Sequence, residues 1–264
     1  TRYFGRVPDE IRRKIRNRQE IPQDAFIVGF VFRNQLRKSV PNLLEGYATF
    51  KKWEKPTNPR LLLHTSLEEG WNIPSLAKQY GVPLEEILVT HICEKCSDYS
   101  LKNIRVVGDK ALSRRDCKTC GAKNSCRTTG VGIGISEPQL NDVYNLMDVY
   151  CHPFTSGGQE YPIQEAKLAE LITLVTNYSC GEEMCYDEAQ SLPLEWSEYR
   201  EHGTEFIKAS TSPKSIAKQL QKVYKMKPHK KRQMEQLARN WALKNYSIKA
   251  IGSKIENWID SKDY

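Results

Sequence analysis

Two pairs of cysteines in this sequence have the spacing of metal ligands. Each pair is a Cys-x-x-Cys motif, and the four residues are Cys93, Cys96, Cys117 and Cys120. Four thiolates at this spacing are typical of a tetrahedral zinc site, and Gly121 suits the tight turn after the second pair. Chance pairing or a redox dithiol is the alternative interpretation, and Cys126 could replace Cys120. Because four cysteines leave no coordination position open, we expect zinc here to have a structural role.

Three basic residues follow the most apolar segment of the chain. Residues 25–32 are a continuous apolar run, which predicts a parallel strand buried on both faces. Arg33, Arg37 and Lys38 come directly after it and precede a predicted helix. Ligands bind beyond the carboxyl ends of strands in open α/β sheets, so these cations could hold a phosphate group. A solvated basic loop is the alternative interpretation.

A second loop also leads from a predicted strand into a predicted helix. Within residues 154–166, Gly157 and Gly158 allow a tight turn and close approach of the backbone to a ligand. Pro162 suits the first helical turn, where free N–H groups face the preceding loop. Glu165 would lie one turn inside the helix and could accept hydrogen bonds from hydroxyl groups. A plain strand-to-helix connection with an exposed Glu is the alternative.

The remaining pattern predicts the elements that position these loops. Strands and helices alternate up to residue 91 and again from residue 129, which predicts a Rossmann-like, doubly wound parallel α/β sheet followed by C-terminal helices. We expect this domain to comprise residues 24–91 and 129–264. Residues 1–23 are basic and predict a connector, and residues 92–128 predict an inserted, zinc-ribbon-like module without a core-facing stripe. Residues 177–204 predict loop and turn with a helical stretch around residues 182–189.

The composition is that of a folded protein with a mild positive charge. The 264 residues include 40 Lys+Arg and 32 Asp+Glu, a net charge of +8, with 39% hydrophobic residues. No apolar run approaches the roughly 20 residues that a bilayer span needs, and we see no signal peptide, so we expect a cytoplasmic protein. Basic residues cluster around the cysteines and within residues 208–232. A nucleic-acid partner is conceivable, but solubility and attraction of an anionic donor are the preferred explanation.

The two loops together resemble the nucleotide-sugar domain of retaining glycosyltransferases of the GT-B fold, particularly glycosyltransferase family 4. Arg33 and Lys38 match that family's Arg-x4-Lys, and residues 161–166 match its Pro-x-x-Glu-Ala segment after a glycine turn. A Leu-x-x-x-Tyr-x-x-x-Asp-Val stretch of the family is matched by Leu140, Tyr144, Asp148 and Val149. The opening Thr1-Arg2-Tyr3-Phe4 resembles the linker that precedes this domain.

The resemblance implies transfer of a sugar from a UDP- or GDP-sugar with retention of configuration. Arg33 and Lys38 would hold the donor pyrophosphate and Glu165 the ribose. The backbone at Tyr161, Pro162 and Ile163 would donate N–H groups to phosphate, and His64 would face the same crevice or be a structural strand-end residue.

Two features depart from the family. Its Glu-x7-Glu pair lacks the first member, because Gly157 stands there and Glu160 is out of register. Its N-terminal acceptor domain is missing, so we expect a C-terminal donor-binding half that is inactive in isolation. A nucleic-acid-binding ribbon on an α/β scaffold and a degenerate, non-catalytic transferase domain are the alternatives.

Overall fold

The computed structural model describes residues 3–107 and 110–261. Thr1 and Arg2 of the predicted linker, residues 108–109 of the predicted insert and the last three residues of the chain lie outside the described part. The nine helices of this described part are α1 Asp9–Arg18, α2 Val40–Glu54, α3 Ile73–Tyr80, α4 Glu137–Leu146, α5 Tyr161–Leu168, α6 Cys180–Met184, α7 Pro213–Tyr224, α8 Pro228–Tyr246 and α9 Ile248–Asp260. Short 3-10 turns at Leu36–Lys38 and Leu84–Glu86 precede α2 and the third strand.

The strands form one large sheet and two small hairpins. The strands are β1 Phe26–Val31, β2 Pro59–His64, β3 Ile87–Cys93, β4 Tyr99–Asn103, β5 Val106–Val107, β6 Lys110–Ala111, β7 Arg114–Arg115, β8 Cys126–Thr128, β9 Val149–His152, β10 Thr173–Thr176, β11 Leu192–Leu194, β12 Trp196–Arg200 and β13 Ile207–Thr211. The large sheet has the order β11-β10-β9-β1-β2-β3-β8-β7, with β4 also paired to β3. The hairpins are β5–β6 and β12–β13.

The strand order places a topological switch point beside β1. Strand β1 pairs in parallel with β2 on one side and with β9 on the other, and the parallel pairing continues to β3 and to β11. The chain therefore leaves β1 in one direction and later returns to its other side. Loops after β1 and β9 diverge at such a point and leave a crevice for ligands. The prediction of a doubly wound parallel sheet is confirmed.

The core is built on the apolar runs that predicted the strands. Ile27, Val28 and Phe30 of β1 are fully buried, as are the three leucines of β2. Gly29 interrupts the apolar run because Met147 packs directly against it: a Cβ atom at residue 29 would lie 2.0 Å from the Met147 sulfur. The absence of a side chain lets the α4–β9 connection approach the middle of the sheet.

The N-terminal segment contains a helix that the sequence pattern underestimated. The connector predicted at residues 1–23 holds the ten-residue helix α1, which packs against α4. Arg12 and Arg16 of α1 bind the Asp148 carboxylate at 2.7 and 3.0 Å, and this carboxylate also accepts from the Ile27 N–H at 2.8 Å. Burial favours the neutral form of Asp148, but the two guanidinium groups outweigh it and lower the pKa of the carboxyl. Ion pairs hold α1 in place, so apolar periodicity in the sequence does not predict this helix.

The Cys-rich ribbon, which we define as residues 92–107 and 110–128, is continuous with the large sheet. Strands β4 and β8 of the ribbon pair with β3. Tyr99, Leu101 and Ile104 are buried in the main core. The prediction that this segment lacks a core-facing stripe is therefore wrong. In β4 the apolar face consists of Tyr99 and Leu101 alone, and two residues among polar neighbours are too few to show a strand periodicity.

The C-terminal part differs from prediction in one segment. Residues 177–204, predicted as loop and turn with a helical stretch around residues 182–189, contain α6 close to that stretch. They also contain β11 and β12, which were not predicted, and β11 extends the parallel sheet. These elements have three to five residues each and show little periodicity. The helices α7, α8 and α9 are the C-terminal helices that the sequence pattern predicts. Among the helices that the structure describes, none combines the length and the apolar character needed to cross a bilayer.

Candidate functional site

Three of the predicted site residues line one cavity at the carboxyl ends of the central strands. Arg33 follows β1, His64 ends β2, and Pro162 lies in the first turn of α5. The cavity has a volume of about 330 Å³ and is also lined by the segment around Gly130 and Ile133. We call it the strand-end cavity. The residues meet because parallel strands end at one edge of the sheet, as the sequence argument required.

Arg33 presents a cation to the strand-end cavity. Its side chain is 54% exposed, and its guanidinium lies 3.3 Å from the Glu69 carboxylate, which also lines the cavity. An exposed ion pair of this kind contributes little to stability, so it can exchange Glu69 for another anion at small cost. Arg33 is therefore accessible to a ligand.

Lys38 lies in a different environment from Arg33. Its side chain is 4% exposed, and its ammonium group contacts the equally buried Glu160 carboxylate. Arg37 approaches the same carboxylate, with a distance of 2.6 Å between its Nη1 and Glu160 Oε1. Burial lowers the pKa of Lys38, while the contact with Glu160 opposes that shift. Lys38, the second of the two predicted phosphate ligands, is therefore already neutralised by the buried Glu160 carboxylate.

The Glu160 carboxylate also contacts a buried histidine. His152 is fully buried at the end of β9, with its Nε2 3.3 Å from Glu160 Oε2 and its Nδ1 2.8 Å from the Tyr150 hydroxyl. Burial lowers the pKa of His152 to about 4. Burial also penalises the charged form of Glu160, but His152 and Lys38 outweigh this and hold the pKa of Glu160 well below its usual range. Glu160 is a fixed anion between the loops that follow β1 and β9.

Gly157 makes room for this carboxylate. A Cβ atom at residue 157 would lie 2.7 Å from Glu160 Oε1 and 3.5 Å from Arg37 Nη1. The space beside Gly158 is open, with no atom within 4 Å of a Cβ position there. Gly157 stands where the resembled family has its first glutamate, and Glu160 is out of register with that motif. The ion pairs of Glu160 were not predicted, because Arg37 and Lys38 lie more than 120 positions away in the chain.

The first turn of α5 offers fewer phosphate donors than predicted. Proline has no N–H, and the Ile163 N–H donates to the Glu160 backbone oxygen at 3.1 Å. Ile163 is fully buried, whereas Tyr161 is 67% exposed. Of these three described residues, Tyr161 is left to offer an N–H to a phosphate. The prediction that Pro162 and Ile163 donate is wrong on these grounds.

Glu165 and His64 are both held by neighbouring hydroxyl groups. The Glu165 carboxylate accepts from the Tyr144 hydroxyl at 2.7 Å, and burial raises the pKa of Glu165. His64 Nδ1 lies 3.1 Å from the Thr90 hydroxyl oxygen, and burial lowers the pKa of His64 to about 4. His64 is therefore a neutral strand-end residue that also lines the strand-end cavity. Glu165 does not line that cavity.

The four predicted metal ligands converge at the base of the Cys-rich ribbon. The sulfur atoms of Cys93, Cys96, Cys117 and Cys120 all lie within 4.8 Å of one another. The Cys93–Cys120 and Cys96–Cys117 sulfur distances are both 3.7 Å. A tetrahedral zinc site with Zn–S distances of about 2.3 Å has edges of about 3.8 Å, so the residues fit that ion. Cys126 is buried next to the cluster but is not part of the four-sulfur group.

Comparison with solved structures identifies similar folds among glycosyltransferases. The C-terminal domain of LpcC, a group 1 family glycosyl transferase from Francisella tularensis, has a TM-score of 0.59 and 13% identity, over 94% of this chain and 97% of that one. A glycosyltransferase from Rickettsia africae ESF-5 has a TM-score of 0.62 and 11% identity, over 97% of this chain and 54% of that one. Anabaena HepE in complex with UDP and glucose has a TM-score of 0.64 and 12% identity, over 99% and 55%.

No protein-family model matches the chain, and no curated protein matches its sequence. The chain spans about half the length of the Rickettsia and Anabaena proteins and nearly all of the Francisella C-terminal domain. Identities of 11–13% establish similarity of fold and leave the activity to be argued from the site. The chain has the fold of a Rossmann-like half of a GT-B glycosyltransferase.

Proposed function

We propose that this chain is the donor-binding half of a retaining glycosyltransferase that uses a UDP- or GDP-sugar. The observation that carries the proposal is the strand-end cavity, where the accessible Arg33 and the first turn of α5 meet at the topological switch point. A cation and a helix N-terminus at one place suit a diphosphate, and both stabilise the charge that develops as the diphosphate leaves. HepE, a protein of similar fold, was solved with UDP and glucose.

The residues next to the strand-end cavity take the roles that a diphosphate donor requires. Arg33 and the Tyr161 N–H contact phosphate oxygens, and the open space at Gly158 lets the backbone approach them. Lys38 joins this contact when the diphosphate shares or replaces its internal anion, Glu160. Glu165 is positioned by Tyr144 to accept from the donor ribose. The four cysteines hold a structural zinc ion that fixes the turns of the ribbon.

The acceptor is bound by a separate domain in this proposal. Transfer requires both reactants to be held in register, and the proposed site supplies contacts for the donor alone. Residues 1–23, including α1, then form the connection to that domain. The isolated chain should bind nucleotide but should not transfer sugar to an added acceptor.

Calorimetric titration of the isolated chain with UDP, GDP and ADP tests the proposal. We expect saturable binding of at least one nucleotide. Arg33→Ala should weaken it by about 1.5–3 kcal/mol, the range for a hydrogen bond to a charged group. The control is Arg13→Ala, which removes an exposed arginine of α1 outside the cavity and should leave affinity unchanged. Absence of saturable binding at millimolar nucleotide, or equal effects of the two variants, would overturn the proposal.

A further inference from the structure

A second cavity lies between the end of α1 and the Cys-rich ribbon. It has a volume of about 580 Å³ and is bounded by residues 18–20, 98–105 and 112–126. It shares no lining residue with the strand-end cavity. We call it the ribbon cavity. Its volume is within the range of small-molecule sites, about 300–1,000 Å³.

Basic side chains outnumber acidic ones around the ribbon cavity. The basic residues are Arg18, Lys102, Arg105, Arg114, Arg115 and Lys118, and the acidic residues are Glu20, Asp98 and Asp116. The lining thus carries a net charge of +3. In a concave site such an excess attracts anions more strongly than the same charges would on an open surface.

The acidic residues of the lining are already engaged. Lys102 and Lys118 share the single carboxylate of Glu20, each at 2.9 Å. Arg18 contacts Asp98, and Asp116 binds Lys123 at 3.1 Å. No carboxylate of the described lining is therefore left over for the remaining basic residues.

Among the described residues, two guanidinium groups of the lining have no anionic partner. Within residues 3–107 and 110–261, neither Arg105 nor Arg115 lies within 4 Å of a carboxylate oxygen. Arg115 donates through Nη2 to the Asn103 backbone oxygen, but its Nε is buried with no hydrogen-bond partner. Arg105 lines the same cavity as Arg115. A buried N–H without an acceptor, next to a second positive charge, lowers the stability of the fold. An anion that accepts hydrogen bonds from both Arg105 and Arg115 would remove this penalty.

We propose that the ribbon cavity binds a small phosphorylated molecule, with Arg105 and Arg115 as its main anion contacts. Phosphate matches the planar, forked donors of arginine, which can bind it through two parallel hydrogen bonds. A volume of about 580 Å³ suits a compact ligand better than a long chain. Cys117 of the predicted zinc site also lines the cavity, so a bound metal would help to fix the strand that carries Arg115. This site is independent of the proposed donor site.

Chemical-shift mapping with inorganic pyrophosphate tests this site in the zinc-loaded chain. We expect amide resonances of residues 99–105 and 114–118 to shift in a saturable manner. The double variant Arg105→Gln/Arg115→Gln should weaken that response at least tenfold, while the response of residues around Arg33 is retained. Lys95→Gln removes an exposed lysine of the same ribbon outside the lining and should change neither response.

Each other outcome contradicts the proposal. Absence of shifts in the ribbon residues at millimolar pyrophosphate would show that the cavity does not recognise phosphate. Shifts caused by single-stranded nucleic acid but not by pyrophosphate would assign the cavity to a polymer. If the double variant fails to fold, Arg105→Gln alone provides the test, because its side chain is exposed and its loss should still weaken the response several-fold.

Discussion

Replacing Glu160 with glutamine removes the negative charge that holds Lys38 and Arg37 together. Both Lys38 and Glu160 are about 95% buried, so the lysine would be left in the interior without a full counter-ion. Breaking a buried ion pair by neutralising one partner costs about 3–5 kcal/mol. Glutamine can still accept a hydrogen bond from Lys38, so we expect the lower end, about 3 kcal/mol. For a chain of this length that lowers the Tm by roughly 6–12 °C.

The same substitution should strengthen nucleotide binding. The Glu160 carboxylate lies against two cations beside the loop that we propose to hold the donor diphosphate, and it repels that dianion while occupying Lys38. Without this charge we expect UDP or GDP to bind about tenfold more tightly, equivalent to about 1.4 kcal/mol. Stability and affinity thus change in opposite directions, which a simple folding defect would not produce.

The assay combines urea unfolding with calorimetric titration of the same preparations. Glu86→Gln is the matched control, because Glu86 is a partly buried carboxylate that binds Lys51 outside both cavities. It should not alter affinity for nucleotide. The double variant Lys38→Met/Glu160→Met removes both charges and should regain most of the lost stability, but it should bind nucleotide less well than Glu160→Gln. An unchanged Tm together with unchanged affinity for Glu160→Gln would refute the reasoning.

Four further predictions concern buried groups and the metal cluster. Stability should rise from pH 4 to 6.5, because burial lowers the pKa of three histidines to about 4 and the unfolded chain takes up their protons first. Lys167 is fully buried, and burial lowers its pKa to about 7. The free energy of unfolding should therefore rise again from pH 7 to 10, by on the order of 4 kcal/mol. Urea unfolding of Lys167→Met should show no such rise over this pH range. Gly29→Ala should cost about 1–3 kcal/mol through overpacking against Met147, and a shorter side chain at residue 147 should restore part of it in thermal melts. Chelation should release one zinc ion per chain by elemental analysis and speed hydrogen exchange at the cysteine turns, while β1 stays protected.

The sequence was sufficient for the parts of the fold that depend on apolar periodicity. Strands β1, β2 and β3 and the helices between them follow runs of buried residues such as Ile27 to Phe30 and Leu61 to Leu63. Since parallel strands end at one edge, the joint placement of Arg33, His64 and Pro162 followed from their positions after predicted elements. The cysteine cluster followed from ligand spacing, which is set by the geometry of the metal.

Contacts between charged residues far apart in the chain could not be predicted in this way. Glu160 meets Lys38 across 122 positions, and Arg16 meets Asp148 across 132. Neither pair produces a periodic pattern in the sequence. Both pairs are also buried, whereas charged side chains are usually exposed to solvent. The burial of Tyr99 was hidden for a related reason, because its strand is short and its neighbours are polar.

A crystal structure of the chain grown with UDP or GDP tests the central claim most directly. The account predicts a diphosphate within hydrogen-bonding distance of the Arg33 guanidinium, in front of the first turn of α5, with Lys38 turned from Glu160 or shared between the two anions. A nucleotide bound with its phosphates elsewhere, for example at Arg105 and Arg115 of the ribbon cavity while the strand-end cavity stays empty, would contradict it.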